Sequence, residues 1–102
     1  MNISTLWIKK AMMIVGLDDE DYLYMLESTA RKESGGNSKI IVNENIGLCE
    51  CKGLMLLTDF IFDKYKMKGY DDIYNPIDST IACIYYLMDN NKLEEITYNE
   101  NK

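Results

Sequence analysis

The sequence predicts a mainly α domain with four principal helices and at most a vestigial β-hairpin between Ser34 and Gly53. Three observations lead there. Apolar residues recur at helical spacing in four stretches, bounded by capping residues or glycines. The turn formers Gly35, Gly36, Asn37, Ser38, Asn43, Asn45 and Gly47 crowd into residues 34–53, where only Lys39-Ile40-Ile41-Val42 reads as a short extended piece. Finally, 102 residues, 47% of them hydrophobic, suffice for one domain around one modest core.

The first helix runs from about Leu6 to Val15, capped by Ser4 or Thr5 and stopped by Gly16. Asp18 or Asp19 caps the second, which reaches Lys32 or Glu33. Glu20 and Asp21 fall in its first turn, where the helix dipole favours acids, so the acidic run needs no partner. Gly53 opens a third helix over about Leu54 to Lys66, closed by Gly69. Its stripe is Leu54, Leu57, Ile61 and Tyr65, widened by Phe60. Asn75-Pro76 opens the fourth helix, with an N-cap followed by proline at the first helical position. Ile77, Ile81, Ile84 and Met88 form its stripe, and it ends near Asn90. Residues 91–102 complete the single domain over 1–102 as a polar tail broken only by Leu93, Ile96 and Tyr98, expected as a short helix or a frayed end.

Charge and composition exclude several classes of function. The net charge is −6, and nucleic acid is not an expected partner because phosphate binding needs clustered cations. With no histidine, the Ser-His-Asp triad, the Cys-His pair and the common zinc sites are excluded. Cys49, Cys51 and Cys83 are odd in number and offer no second metal-ligand pair, so they read as thiols made in a reducing compartment, with no cofactor or metal. No run approaches the ~18 apolar residues of a membrane span. Lys9-Lys10 precede the apolar stretch Ala11 to Leu17, but the acids Asp18 to Asp21 follow, with no small-residue cleavage site. The stretch reads as a structural helix, and synthesis in the cytoplasm without a signal peptide is expected.

One stretch carries chemistry. Tyr22, Leu26, Thr29, Ala30 and Glu33 fall on one helix face, largely apolar until its last member. Gly35-Gly36 supplies left-handed conformations that end the helix and free the backbone beside Glu33. The negative end of the helix dipole and burial would both raise the pKa of this carboxyl, which makes Glu33 a candidate general acid. The plain alternative is a solvated glutamate at a helix end, with Gly-Gly as a stop signal.

Four features then stand in order: Glu33-Ser34-Gly35-Gly36-Asn37, Gly53-Leu54-Met55, Tyr74-Asn75-Pro76, and Tyr85-Tyr86-Leu87. Over about residues 6–90 this set resembles the soluble lytic transglycosylase family, which shares the lysozyme-like fold with goose-type lysozyme. It is similar above all to the short versions in phage tail tape-measure proteins and mobile-element cell-wall hydrolases. The family pattern is E-S-G-G-N-P, then G-L-M-Q, then N-P before a helix carrying Y-L. Here Leu56 stands at the glutamine and Ser38 at the first proline, and the stretch between the first two motifs is short.

The resemblance implies that Glu33 is the single catalytic acid/base. It would protonate the glycosidic oxygen between N-acetylmuramic acid and N-acetylglucosamine, then deprotonate the muramic C6 hydroxyl to close a 1,6-anhydro ring. The partner would be peptidoglycan glycan strands. Ser34, Met55, Leu56 and Tyr86 would contact substrate, Met55 through its backbone. Ser34 would otherwise only terminate the helix, and Tyr85 or Tyr86 would be core. Glu44, Glu50 and Asp59 are the only other acids near enough to serve a hydrolase, and Glu44 and Glu50 read as solvated. Leu56 in place of an amide implies a slow enzyme. It also supports a second reading, a lysozyme-like module that binds peptidoglycan or acts as a scaffold without catalysis. Because the wall is anionic, a domain of charge −6 is expected to be delivered by a virion tail, conjugation or secretion apparatus.

Overall fold

The computed structural model describes residues 3–44 and 49–90. The elements follow in the order α1 (Ile3–Val15), α2 (Glu20–Ser34), β1 (Ile41–Glu44), β2 (Cys49–Lys52), β3 (Leu57–Thr58), α3 (Asp59–Tyr65) and α4 (Pro76–Asp89). The molecule is mainly α with four principal helices, as the sequence predicts. The tail at 91–102 and the Cys49 and Glu44 side chains lie outside the described residues.

Helix α4 is the centre of the packing. Asn75 caps it, its side-chain oxygen accepting from the N–H groups of Ile77 at 2.9 Å and Asp78 at 3.2 Å, and Pro76 opens the first turn. Every residue from Asp78 to Ile84 is buried, so this stretch of α4 is enclosed on all sides rather than along one stripe. Ile81 and Ile84 are core as expected, whereas Met88 at the end of the predicted stripe is 47% exposed. Helices α1 and α3 both pack against α4, and α2 packs on α1. The core gathers Ile8, Met12, Leu26, Ala30, Leu54, Phe62 and Ile84.

The ends of α1 and α2 show local chemistry at work. Neither Ser4 nor Thr5 caps α1, which already includes Ile3; both are buried, and Thr5 Oγ1 donates to Glu27 Oε2 at 2.6 Å, tying α1 to α2. Asp19 caps α2, accepting from the N–H groups of Asp21 and Tyr22. Gly35, in the left-handed region at φ 64°, ends α2, its N–H donating to Arg31 O at 3.1 Å.

The small sheet fits the expected mainly α fold, and the turn beside it corrects one helix boundary. Its three antiparallel strands lie in the order β1-β2-β3, with Val42 opposite Cys51 and Cys51 opposite Thr58, one short strand more than a hairpin. The third helix begins at Asp59, not Leu54, because Gly53 to Leu56 form a tight turn closed by Leu56 N–H donating to Gly53 O at 3.0 Å. Gly53 at φ 82° and Leu56 at φ 55° are both left-handed, which no helix tolerates, and Thr58 then caps α3. The later start also rotates the helix: Phe62 is buried, and Phe60 is 75% exposed instead of widening the apolar stripe.

Candidate active site

Helix α2 brings Thr29 and Glu33, four residues apart, to the wall of a cleft of about 270 Å³. The β2–β3 hairpin supplies Cys51, Met55, Leu56, Leu57 and Thr58, while α3 contributes Ile61. Cys83, Tyr86 and Leu87 come from one face of α4. Glu33, Met55, Leu56 and Tyr86, singled out separately in the sequence, thus line one cavity.

Ser34 lies outside it. Its side chain is buried, with the hydroxyl donating to Ala30 O at 3.0 Å and accepting from Gly36 N–H at 3.2 Å. Both bonds serve the end of α2, so its hydroxyl fits the helix-terminating role. Met55 is also buried, and its N–H points to Ser79 Oγ at 3.4 Å, so that group faces α4 and not the cleft. Leu56 is half-buried, as is Tyr86, whose ring meets that of Tyr65 edge to face.

Glu33 is exposed at the rim rather than buried, because α2 continues one residue past it to Ser34 and the chain then turns away. Among the described residues it is the one carboxylate lining the cleft. Asp59 is instead paired with Lys52 at 3.0 Å on the surface, and Glu50 is exposed elsewhere. The Cys83 thiol, fully enclosed below the cleft, is pushed up to about 12 by burial and then by the Glu33 carboxylate. It is therefore neutral and serves as floor. Cys51 is buried as well.

The hydroxyls of the cleft have complementary capacity left over. Thr29 Oγ1 donates to Met25 O at 2.9 Å, which leaves its lone pairs for a ligand. Thr58 Oγ1 accepts from Ile61 N–H at 3.1 Å, and its own proton has no acceptor among the described residues. The cleft therefore offers a carboxyl, an acceptor, a donor and a phenol over an apolar floor, which suits a polyol with nonpolar ring faces. Thr29 stood in plain view on the Glu33 face of α2. Thr58 did not, because residues 54–58 read as helix; the Thr-Asp pair before Phe60-Ile61-Phe62 was the capping signal that marks it.

Two larger cavities follow the α1–α2 seam. One of about 570 Å³ is lined by Met12, Met13, Leu17 and Leu23 with Asp18 to Glu20, and one of about 330 Å³ by Ile3, Glu27 and Arg31 among others. Asp19 there is occupied in capping α2, and Glu27 in holding Thr5. Size is outweighed by chemistry: the smaller cleft is where reactive groups converge. No group of three His, Cys, Asp or Glu side chains among the described residues is arranged to hold a metal ion, and no described helix is long and apolar enough to cross a membrane.

The family model of the transglycosylase SLT domain matches residues 16–99. No curated protein matches the chain, and no solved structure does. The matched segment runs from the turn after α1 through α4 and includes every residue that lines the cleft. With most of its length matched and its mainly helical architecture, the chain belongs to the transglycosylase SLT-domain family, lysozyme-like lytic transglycosylases whose activity concerns peptidoglycan.

Proposed function

We propose that this protein is a peptidoglycan lytic transglycosylase that cleaves the β-1,4 bond between N-acetylmuramic acid and N-acetylglucosamine, with Glu33 as its only acid/base. The observation that carries this reading is that Glu33 is the one carboxylate among the described residues lining the cleft. A glycosidase that activates water or forms a glycosyl-enzyme needs a second carboxyl about 5–9.5 Å away. When the nucleophile is the substrate's own C6 hydroxyl, one group suffices. The Glu33 carboxyl gives its proton to the glycosidic oxygen as the bond to C1 breaks. The C6 oxygen then attacks C1, and its proton returns to the Glu33 carboxylate, which leaves the catalyst unchanged. Thr58 and Tyr86 are the neutral donors for sugar oxygens, Leu56 contributes an apolar wall, Met55 anchors the turn that carries Leu56 to α4, and Ser34 ends the helix that carries the acid. Delivery to the wall by a virion tail or a conjugation or secretion apparatus fits the charge of −6.

The test is clearance of a suspension of purified cell walls. Wild type should clear it and Glu33→Gln should not, with little change in melting temperature because Glu33 is exposed. A competing reading, a module that binds peptidoglycan or acts as a scaffold without cleaving it, draws support from Leu56, which offers a sugar no hydrogen bond. Co-sedimentation of wild type with walls that it never clears would favour that reading.

A further inference from the structure

We propose that Tyr65 is a positioning residue for Tyr86: it holds the Tyr86 ring in the cleft by an edge-to-face contact, and its own hydrogen bond to Asp89 pins it there. The proposal rests on the reading of the cleft as a glycan-cleaving site. Tyr86 is half-buried in the cleft wall, and a tyrosine so placed can leave its well for another staggered rotamer. The main chain beneath it is fixed, and one ring contact opposes such a departure. Its carbonyl accepts from Asn90 N–H at 3.1 Å and Asn90 Nδ2 at 2.8 Å, which fixes the main chain. Its ring meets the Tyr65 ring with centroids 5.6 Å apart and planes at 74°, within the favoured T-shaped geometry.

Tyr65 is the last residue of the seven-residue α3, where a side chain needs an anchor of its own. That anchor is the Asp89 carboxylate, which accepts from the Tyr65 hydroxyl. Asp89 lies three residues beyond Tyr86 on α4, so the two share one helix face and Tyr65 spans both. The hydroxyl of Tyr65 is correspondingly pushed above its ordinary value, first by this hydrogen bond. Lys64 Nζ lies 5.3 Å from the centre of the same ring. The result is a brace from α3 to α4 whose working end is a phenol in the same cleft as Glu33. Loosening it should slow the chemical step more than it weakens binding of a long glycan strand.

The experiment is a double-mutant cycle on wall-fragment cleavage, with melting temperature measured for each variant. Tyr65→Leu, which removes the ring contact, should lower kcat about two- to tenfold with KM little changed. Tyr65→Phe keeps the ring and loses the pin, and should fall between. In a Tyr86→Phe background Tyr65→Leu should add no further loss. Equal losses in both backgrounds would make Tyr65 merely structural and overturn the proposal. A second readout needs no activity: fluorine NMR of protein carrying 3-fluorotyrosine, with the Tyr86 line identified by its loss in Tyr86→Phe. That line should shift or broaden in Tyr65→Leu and move less in Tyr65→Phe. An inactive wild type whose Tyr86 line responds in this way would remove the proposed reaction and keep the brace. An active wild type with an unmoved line and additive losses would do the reverse.

Discussion

At the scale of single residues, Leu56 is where backbone and chemistry pull in different directions. Its φ of 55° is a conformation that non-glycine residues enter at a cost of about 1–3 kcal/mol, held here by the turn from Gly53. The side chain is half-buried along the cleft, so Leu56→Gln changes what a sugar meets without emptying the core. One added hydrogen bond of about 0.5–1.5 kcal/mol should speed cleavage roughly two- to twelvefold, measured as product release. A large fall in melting temperature without faster release would assign Leu56 to the core instead. Cys83 offers a check of a different kind. Burial holds its thiol near 12, against an ordinary 9.0, so it stays protonated at pH 8. Iodoacetamide should therefore leave Cys83 unmodified in the folded protein and label it after denaturation, with peptide mass spectrometry as the readout. Rapid labelling in the folded state would show that the cleft floor opens. Glu33 was visible in the sequence as the last member of a helix face, and the exposure of its carboxyl was not. Periodicity says which residues share a face; how far the neighbouring turn leaves the end of that face uncovered depends on packing.

At the scale of elements, two turns decide where the helices begin. A Cβ at Gly53 would stand 2.2 Å from Ile73 O, in a backbone already at φ 82°. Gly53→Ala should therefore destabilise the protein by about 2–4 kcal/mol in chemical denaturation, combining left-handed strain with a forced backbone shift. A loss below about 1 kcal/mol would mean that the loop carrying Ile73 yields freely. At the start of α4, Asp78 is buried, which raises its carboxyl above the ordinary 3.8; the hydrogen bond from Asp72 N–H at 3.0 Å opposes this, and the Asp72 and Asp71 carboxylates add to it. The folded state then holds this proton more tightly than the unfolded chain does. Its contribution to stability is greatest below pH 3.8 and declines as pH rises through the folded value. Asp78→Asn keeps an acceptor for Asp72 N–H and removes the decline, so thermal melting across that window should lose stability less steeply with rising pH than in wild type. An unchanged slope would contradict the assignment. These elements also mark how far the sequence could be read. The capping of α2 by Asp19 and of α4 by Asn75-Pro76 follows from side-chain chemistry within a few residues, and it was legible. The late start of α3 was not, because Leu54, Leu57 and Ile61 keep helical spacing while sitting on a turn, a strand and a helix. Burial of Ser79 was equally hidden: its hydroxyl accepts from Met55 N–H, a partner in space that no periodicity reveals, whereas Thr80 satisfies its hydroxyl locally on Pro76 O one turn back.

At the scale of the whole molecule, the charge of −6 sets the protein against an anionic polymer. Raising ionic strength from about 0.01 to about 0.1 M shortens the screening length from about 30 to about 10 Å, so cleavage of wall fragments should quicken over that range. Slowing instead would mean that a local attraction outweighs the net repulsion. The packing of α1 and α3 against α4, with α2 on α1 and a small sheet beside them, places a single carboxylate among the described residues beside hydroxyls and an apolar floor. The central claim is that this one carboxylate acts as acid and then as base, with the substrate supplying the nucleophile. Mass spectrometry of the products from purified peptidoglycan tests it most directly. Wild type should release 1,6-anhydro muramoyl ends, and Glu33→Gln, folded and melting as wild type does, should release none. Reducing muramoyl ends from wild type, or anhydro products that persist in Glu33→Gln, would contradict the account.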